Sequence, residues 1–127
     1  MLSILLVGKD PDGLADLSTA LQNEEGIRVD RAASGQEAWD FLANHQVDVA
    51  VMDQQLADGE ALPFVKQLVK KNPLINCAMV STLAAEDFHE ATEGLGVFMQ
   101  LPVHPGSEEA ANMLQLLQSI GALMAQQ

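Results

Sequence analysis

The chain has 127 residues, which is enough for one domain and too few for two of ordinary size. Six Lys and Arg residues stand against eighteen Asp and Glu, and the resulting net charge of −12 argues against direct binding to nucleic acid or to an anionic membrane. One cysteine excludes an internal disulfide framework and a cysteine-rich metal site. We therefore expect a single acidic, cytoplasmic domain over 1–127, without a signal peptide or a membrane span.

Short apolar segments alternate with amphipathic segments along the whole chain. The apolar segments predict strands at 2–7, 28–32, 47–52, 74–80 and 97–100. The spacing of apolar residues predicts helices at 11–24, 35–45, 61–71, 84–93 and 107–124, with Asp10 and Ser34 as caps of the first two. Strands that alternate with helices predict an α/β fold, with a parallel sheet and helices on both of its faces.

Polar residues follow four of the predicted strands, at the edge where open parallel sheets place their sites. These positions are Gly8-Lys9-Asp10, Asp53-Gln54, Ser81-Thr82 and Leu101-Pro102. Asp53 is the strongest single candidate because it follows directly on an apolar strand. An aspartate in that place is also common as a helix cap or turn residue, so its position alone supports a functional and a structural role equally.

The glycines of the first loop, Gly8 and Gly13, are spaced as in a phosphate-binding loop. Leu14 and Ala15 follow, however, where such a loop needs a lysine and then a Ser or Thr. Pro11 also lacks the backbone N–H that an anion would use. The loop therefore gives little support to a nucleotide site.

Four segments together resemble the receiver domain of two-component response regulators, and the resemblance covers essentially the whole chain. ILLVGKDP is similar to the first strand and acidic loop of that family, and VDVAVMDQQLADG to its third strand, phosphoacceptor and following loop. AMVST is similar to the fourth strand with its hydroxyl residue, and GLGVFMQLPV to the last strand and its proline corner. The resemblance implies a flavodoxin-like three-layer sandwich with a five-stranded parallel sheet in the order 2-1-3-4-5. It also implies a role in phosphorelay signal transduction.

The resemblance assigns roles to individual positions. Asp53 matches the phosphoacceptor, and Ser81 and Phe98 match the two switch positions. Leu101 and Pro102 match a corner in which the proline usually follows a cis bond. The acidic-loop positions fall on Gly8, Lys9 and Asp10.

The departures from the family pattern concern charge. The family holds Mg²⁺ with two adjacent carboxylates, where this chain has Gly8 and Lys9, and its lysine before the proline is Leu101 here. Asp10 is acidic but falls one position beyond the pair. One hypothesis is that the Lys9 ammonium replaces the metal ion and pairs with Asp53. The alternative is that Lys9 extends into water while Asp53 accepts hydrogen bonds from backbone amides.

These departures predict a degenerate receiver with weak or no Mg²⁺-dependent phosphorylation, no cofactor and no enzymatic activity. We expect it to act through protein partners, namely a histidine kinase, a phosphotransfer protein or an output protein, with homodimer formation left open. One alternative is a functional phosphoacceptor in which Asp10 or Asp12 reaches the site. Another is a small flavodoxin-like protein that binds a cofactor.

The other notable residues have structural interpretations. Cys77 lies in a predicted buried strand and is expected to be a core residue. Trp39 is predicted to be half-exposed, with partner contact as the alternative. The acidic residues of the fourth predicted helix are expected to form a solvated face that could select a basic partner: Glu86, Asp87, Glu90 and Glu93.

Overall fold

A computed structural model describes residues 2–125, so that Met1, Gln126 and Gln127 of the predicted single domain lie outside it. The strands are Leu2–Val7 (β1), Ile27–Ala32 (β2), Val49–Met52 (β3), Gln55–Leu56 (β4), Gly59–Glu60 (β5), Asn76–Val80 (β6) and Val97–Leu101 (β7). The helices are Ala15–Gln22 (α1), Gly35–Asn44 (α2), Ala61–Lys71 (α3), Ala85–Thr92 (α4) and Ser107–Ala125 (α5). Within the described range, none of these helices combines the length and apolarity that crossing a bilayer requires.

Five of the strands form one parallel sheet in the order β2-β1-β3-β6-β7. Since β6 and β7 are the fourth and fifth strands of the sheet along the chain, this confirms the predicted order 2-1-3-4-5. The central strand β3 is buried along its whole length, whereas the edge strand β2 is largely half-buried or exposed. Continuous burial is what the apolar sequence of β3 requires, because helices cover both faces of such a sheet.

Alternate residues of β1 enter two separate hydrophobic clusters, one on each face of the sheet. Leu5 and Val7 pack with side chains from α2, α3 and α4. Ile4 and Leu6 pack with side chains from α1 and α5, and we call this group the α1–α5 cluster. Helices on both faces of the sheet confirm the three-layer flavodoxin-like sandwich.

The first helix begins later than the sequence predicts. Residues 11–14 form turns, and Leu14 rather than Asp10 is the N-cap of α1. Asp10 instead accepts a hydrogen bond on Oδ1 from the Asp12 N–H, at 3.0 Å. An Asp side chain that bonds the backbone two residues ahead stabilises a turn in place of the helical start.

The second helix begins where predicted, and Ser34 is confirmed as its cap. Its Oγ accepts from the Glu37 N–H at 3.0 Å. Helix α3 has the predicted bounds. The segment 53–60, predicted as a loop, contains the antiparallel pair β4 and β5, whose two-residue strands are too short to show an alternating sequence pattern.

Candidate functional site

Asp53 stands at the carboxyl edge of the sheet, directly after β3. Its N–H donates to the Val7 carbonyl at 2.8 Å, which places it beside the end of β1. The Lys9 N–H donates to the Gln55 carbonyl at 2.9 Å. These bonds hold the first loop and the Asp53 loop side by side, as the parallel pairing of β1 and β3 requires.

The Asp53 side chain is half-buried and lies against two glycines. Its Oδ1 accepts from the Gln54 N–H at 2.8 Å. A Cβ added at Gly8 would lie 2.9 Å from the Asp53 Cβ, and one added at Gly13 would overlap Oδ2. Only glycine leaves this space free, so Gly8 and Gly13 determine where the carboxylate lies.

A cavity of about 210 Å³ opens beside this carboxylate. Lys9, Asp10 and Asp53, all predicted from the sequence, line it together with His104. His104 has a φ of 55°, a left-handed backbone that is uncommon outside glycine, and the sequence offered no signal for its place here. Ser81, Phe98 and Leu101 are not among the residues that line this cavity.

The predicted ion pair between Lys9 and Asp53 is wrong. Among residues 2–125 the ion pair within 4.0 Å is that of Arg28 with Asp30, at 2.9 Å, and Lys9 is exposed. The alternative interpretation holds, since Asp53 accepts from a backbone amide and Lys9 extends from the surface. An exposed ammonium gains little from a water-screened pair and keeps its hydration when it stays apart.

Ser81 is held within the loop that follows β6. Its Oγ accepts from the Leu83 N–H at 3.1 Å, and its N–H donates to the Leu101 carbonyl at 3.0 Å. Gln100 Nε2 donates to the Leu83 carbonyl at 2.8 Å and to the Ser81 carbonyl at 3.3 Å. The hydroxyl therefore organises this loop, at the same sheet edge as Asp53.

Phe98 lies at an irregularity in β7. The register with β6 shifts between Cys77 and Ala78, whose partners are Val97 and Met99. Phe98 is thus an extra residue, and it packs half-buried against the α1–α5 cluster. Its switch role stays a prediction.

The peptide bond before Pro102 is not the cis isomer that the family resemblance implies. Within the described chain there is no cis peptide bond, so the bond between Leu101 and Pro102 is trans. Trans is the lower-energy isomer of such a bond by about 0.5–1 kcal/mol. The Leu101 side chain is fully buried in the α1–α5 cluster and offers no polar group to the site.

Asp58 has a structural role that the sequence analysis missed. Its Oδ1 accepts from the Gly35 N–H at 2.8 Å, and its Oδ2 accepts from the Gln36 N–H at 3.0 Å. These two bonds, Gly35 first, lower the pKa of the Asp58 carboxyl below its ordinary value. The Asp58-Gly59 turn was the available signal, but the partner helix is distant in sequence.

The residues beside Asp53 do not fit a magnesium ion. Asp10 is the other carboxylate on the cavity, and its Oδ1 is bonded to the Asp12 N–H. Gly8 has no ligand atom, and Lys9 supplies a positive charge. Within residues 2–125 no three His, Cys, Asp or Glu side chains are grouped so as to hold a metal.

Two of the curated relatives that the chain matches are 28% identical to it. The chain is 28% identical over 125 residues to the protein-glutamate methylesterase/protein-glutamine glutaminase 1 of Myxococcus xanthus, covering 96% of this chain and 36% of that protein. It is 28% identical over 67 residues to the response regulator Rre1 of Synechocystis, covering 53% of this chain and 29% of that protein. The chain thus spans about a third of the length of the relatives that it matches.

Solved structures with the same fold are similar over nearly their whole length. The chemotaxis response regulator CheY4 of Vibrio cholerae has a TM-score of 0.78 and 22% identity, with 91% of this chain and 97% of that chain covered. The receiver domain of the Francisella response regulator 1452 has a TM-score of 0.80 and 21% identity, with 95% and 99% covered. Residues 4–104 also match the sequence model of the response regulator receiver domain. The chain therefore belongs to the response regulator receiver domain family of two-component systems.

Proposed function

We propose that this domain is a degenerate receiver. Mg²⁺-dependent phosphorylation of Asp53 is weak or absent, and the domain acts through contacts with protein partners such as a histidine kinase, a phosphotransfer protein or an output protein. The observation that carries this proposal is the composition of the cavity beside Asp53, where Lys9 and a single further carboxylate, Asp10, lie.

Phosphoryl transfer depends on positioning and on neutralised charge. Mg²⁺ requires several oxygen ligands in a near-octahedral arrangement. Gly8 supplies no side-chain oxygen, Lys9 opposes a divalent cation, and the buried Leu101 supplies no positive group to the phosphoryl oxygens. Each loss of an electrostatic contact of this kind is on the scale of about 3 kcal/mol in an activation barrier.

The position of the Asp53 carboxylate supports the same proposal. Oδ1 is bonded to the Gln54 N–H, and Oδ2 faces the Gly13 backbone. A carboxylate must direct one oxygen at the phosphorus atom in line with the leaving group. The Oδ1 bond and the close approach of Oδ2 to residue 13 limit the rotations by which Asp53 could do so.

A functional phosphoacceptor is the second candidate, and one observation favours it. Asp10 lines the same cavity as Asp53. If Asp10 exchanged its bond to the Asp12 N–H for a metal ion, two carboxylates would hold the ion with Asp53 as acceptor. This arrangement would give Mg²⁺-dependent phosphorylation that Asp53→Asn abolishes.

The test is a titration with Mg²⁺, in the presence of acetyl phosphate or beryllofluoride. Binding is monitored through the NMR signals of the Asp53 and Gln54 amides. We expect no saturation at millimolar Mg²⁺ in the unaltered protein, and tighter Mg²⁺ binding in Lys9→Asp. Asp53→Asn is the matched control for any phosphate that is incorporated. Saturable Mg²⁺ binding with stoichiometric phosphorylation of Asp53 would establish the second candidate instead.

A further inference from the structure

A groove of about 370 Å³ lies between α3 and α4, on the side of the sheet opposite the α1–α5 cluster. Leu62 of α3, Met79 of β6 and Phe88 of α4 are among the apolar residues that line it. Leu83, at its edge, is 49% exposed, which is a large exposure for a leucine that lines a groove. Gln54, the neighbour of Asp53, also lines the groove. The space is sufficient for one or two apolar side chains of a ligand.

The loop that carries Leu83 is fixed from two sides. Gln100 Nε2 donates to the Leu83 carbonyl at 2.8 Å, and the Leu83 N–H donates to Ser81 Oγ at 3.1 Å. A surface that is already ordered loses less conformational entropy when a partner binds. These bonds order the backbone that presents the exposed Leu83 side chain.

The one charged side chain among the residues that line the groove is acidic. All six Lys and Arg residues lie within residues 1–71, whereas residues 72–127 carry six acidic residues and no Lys or Arg. Helix α4 contributes Glu86, Asp87 and Glu90, all exposed, and Glu60 lines the groove on the α3 side. Lys66, one helical turn beyond Leu62, is the next cation along that side. An apolar groove with an acidic lining residue, beside a helix that carries exposed acidic residues, is complementary to an apolar side chain flanked by basic residues.

We propose that the groove between α3 and α4 is the docking site for a basic segment of a partner protein that inserts an apolar side chain between Leu62, Leu83 and Phe88. This inference rests on the proposed role of the domain in protein contacts and names the surface and the chemistry of the partner. Because Gln54 lines the groove next to Asp53, the bound segment lies beside the acceptor loop.

A synthetic amphipathic peptide of leucine and lysine, with its leucines at helical spacing, is the probe. In an NMR titration with this peptide, the first amide chemical shifts to change should be those of residues around Leu62, Leu83 and Ala91. Raising salt from about 0.05 M to about 0.5 M should weaken binding, because the Debye length shortens. Two further peptides, one with serine for leucine and one with glutamate for lysine, should bind at least about tenfold more weakly, since each lacks one of the two complementary features.

Variants on α4 locate the site. Ala91→Trp fills the groove and should weaken binding by at least about tenfold, whereas Ala85→Trp, on an exposed part of the same helix, should change it by less than about twofold. If Ala91→Trp does not fold, Leu83→Ser removes the exposed leucine without filling the core and should weaken binding as well. Shift changes centred elsewhere, or equal binding of the serine peptide, would overturn the docking site.

Different experimental results would contradict the proposed docking site and the proposed degeneracy of the phosphoacceptor. Asp53→Asn should change the affinity for the leucine-lysine peptide by less than about twofold, because the Asn Oδ1 can still accept from the N–H of Gln54, the groove residue that Asp53 contacts. Phosphorylation of Asp53 would contradict the proposed degeneracy and leave the peptide result standing. A peptide that does not bind at the groove would contradict the docking site whatever the phosphorylation assay shows.

Discussion

The Asp53 carboxylate lies so close to the Gly13 backbone that a Cβ at residue 13 would overlap Oδ2. The two residues are 40 positions apart in the sequence, and the turn before α1 brings them together. The first loop thus leaves room for the Asp53 carboxylate because residue 13 has no side chain.

Gly13→Ala should displace the Asp53 side chain toward the cavity. Overpacking of a tight contact costs about 1–3 kcal/mol, so we expect the free energy of unfolding to fall by an amount in that range. The Asp53 ¹³Cγ chemical shift and urea denaturation measure the two effects. Gly106→Ala is the control, because the nearest atom to an added Cβ there is 4.0 Å away, and it should be nearly neutral. An unchanged Asp53 shift in Gly13→Ala would show that the contact does not position the carboxylate.

Lys9 and Asp53 should contribute independently to stability, because they line one cavity without forming an ion pair. We expect the effects of Lys9→Met and Asp53→Asn on the free energy of unfolding to add within about 0.5 kcal/mol. A double-mutant cycle in urea at low salt measures the coupling. The reference cycle pairs Arg28 with Asp30, whose contact of 2.9 Å is exposed and should couple by about 0.2–1 kcal/mol. Coupling between Lys9 and Asp53 above that of the reference pair would restore the ion-pair hypothesis.

Asp58→Ala should reduce stability at neutral pH and lose this effect in acid. The two backbone hydrogen bonds hold the folded pKa of Asp58 below its ordinary value of 3.8. The stability that Asp58 contributes is therefore complete above the unfolded value and is lost as the pH falls through the lower folded value. Urea unfolding measures the free energy of unfolding of Asp58→Ala and of the unaltered protein from neutral pH down to pH about 2. The difference between the two free energies should vanish at the acid end.

Glu90→Ala, an exposed acid on α4, is the matched control for Asp58→Ala. The free energy of unfolding of Glu90→Ala should differ little from that of the unaltered protein throughout the pH range. An Asp58→Ala difference that persists undiminished in acid would mean that the ionised carboxylate does not stabilise the first turn of α2 through its bonds to the Gly35 and Gln36 N–H groups.

Cys77 should be unreactive while the protein is folded. Burial in the sheet raises the pKa of its thiol to about 12, so the reactive thiolate is scarce at pH 8. A thiol reagent such as DTNB should modify the folded protein far more slowly than the protein in urea. Rapid modification under native conditions, with unfolding excluded by circular dichroism, would contradict this burial.

The elements that the sequence predicted best are those whose local pattern and tertiary environment agree. Helix α3 has the predicted bounds because its apolar residues recur at helical spacing on the face that it buries. Helix α1 starts four residues later than predicted, since Asp10 stabilises a turn through its bond to the Asp12 N–H. Both a turn and a cap are available to an aspartate in that position, and local sequence does not decide between them.

The amino-acid sequence by itself determined the alternation of strands and helices, the sheet order through family resemblance, and the placement of Asp53 at the carboxyl edge. These follow from periodicity and from chain order, which a sequence contains directly. Tertiary structure alone decided that Lys9 stays apart from Asp53, that Gly13 accommodates the carboxylate, and that Asp58 accepts from the first two N–H groups of α2. Those relationships depend on distances of a few ångströms between residues far apart in the chain, and such distances are fixed when the layers pack.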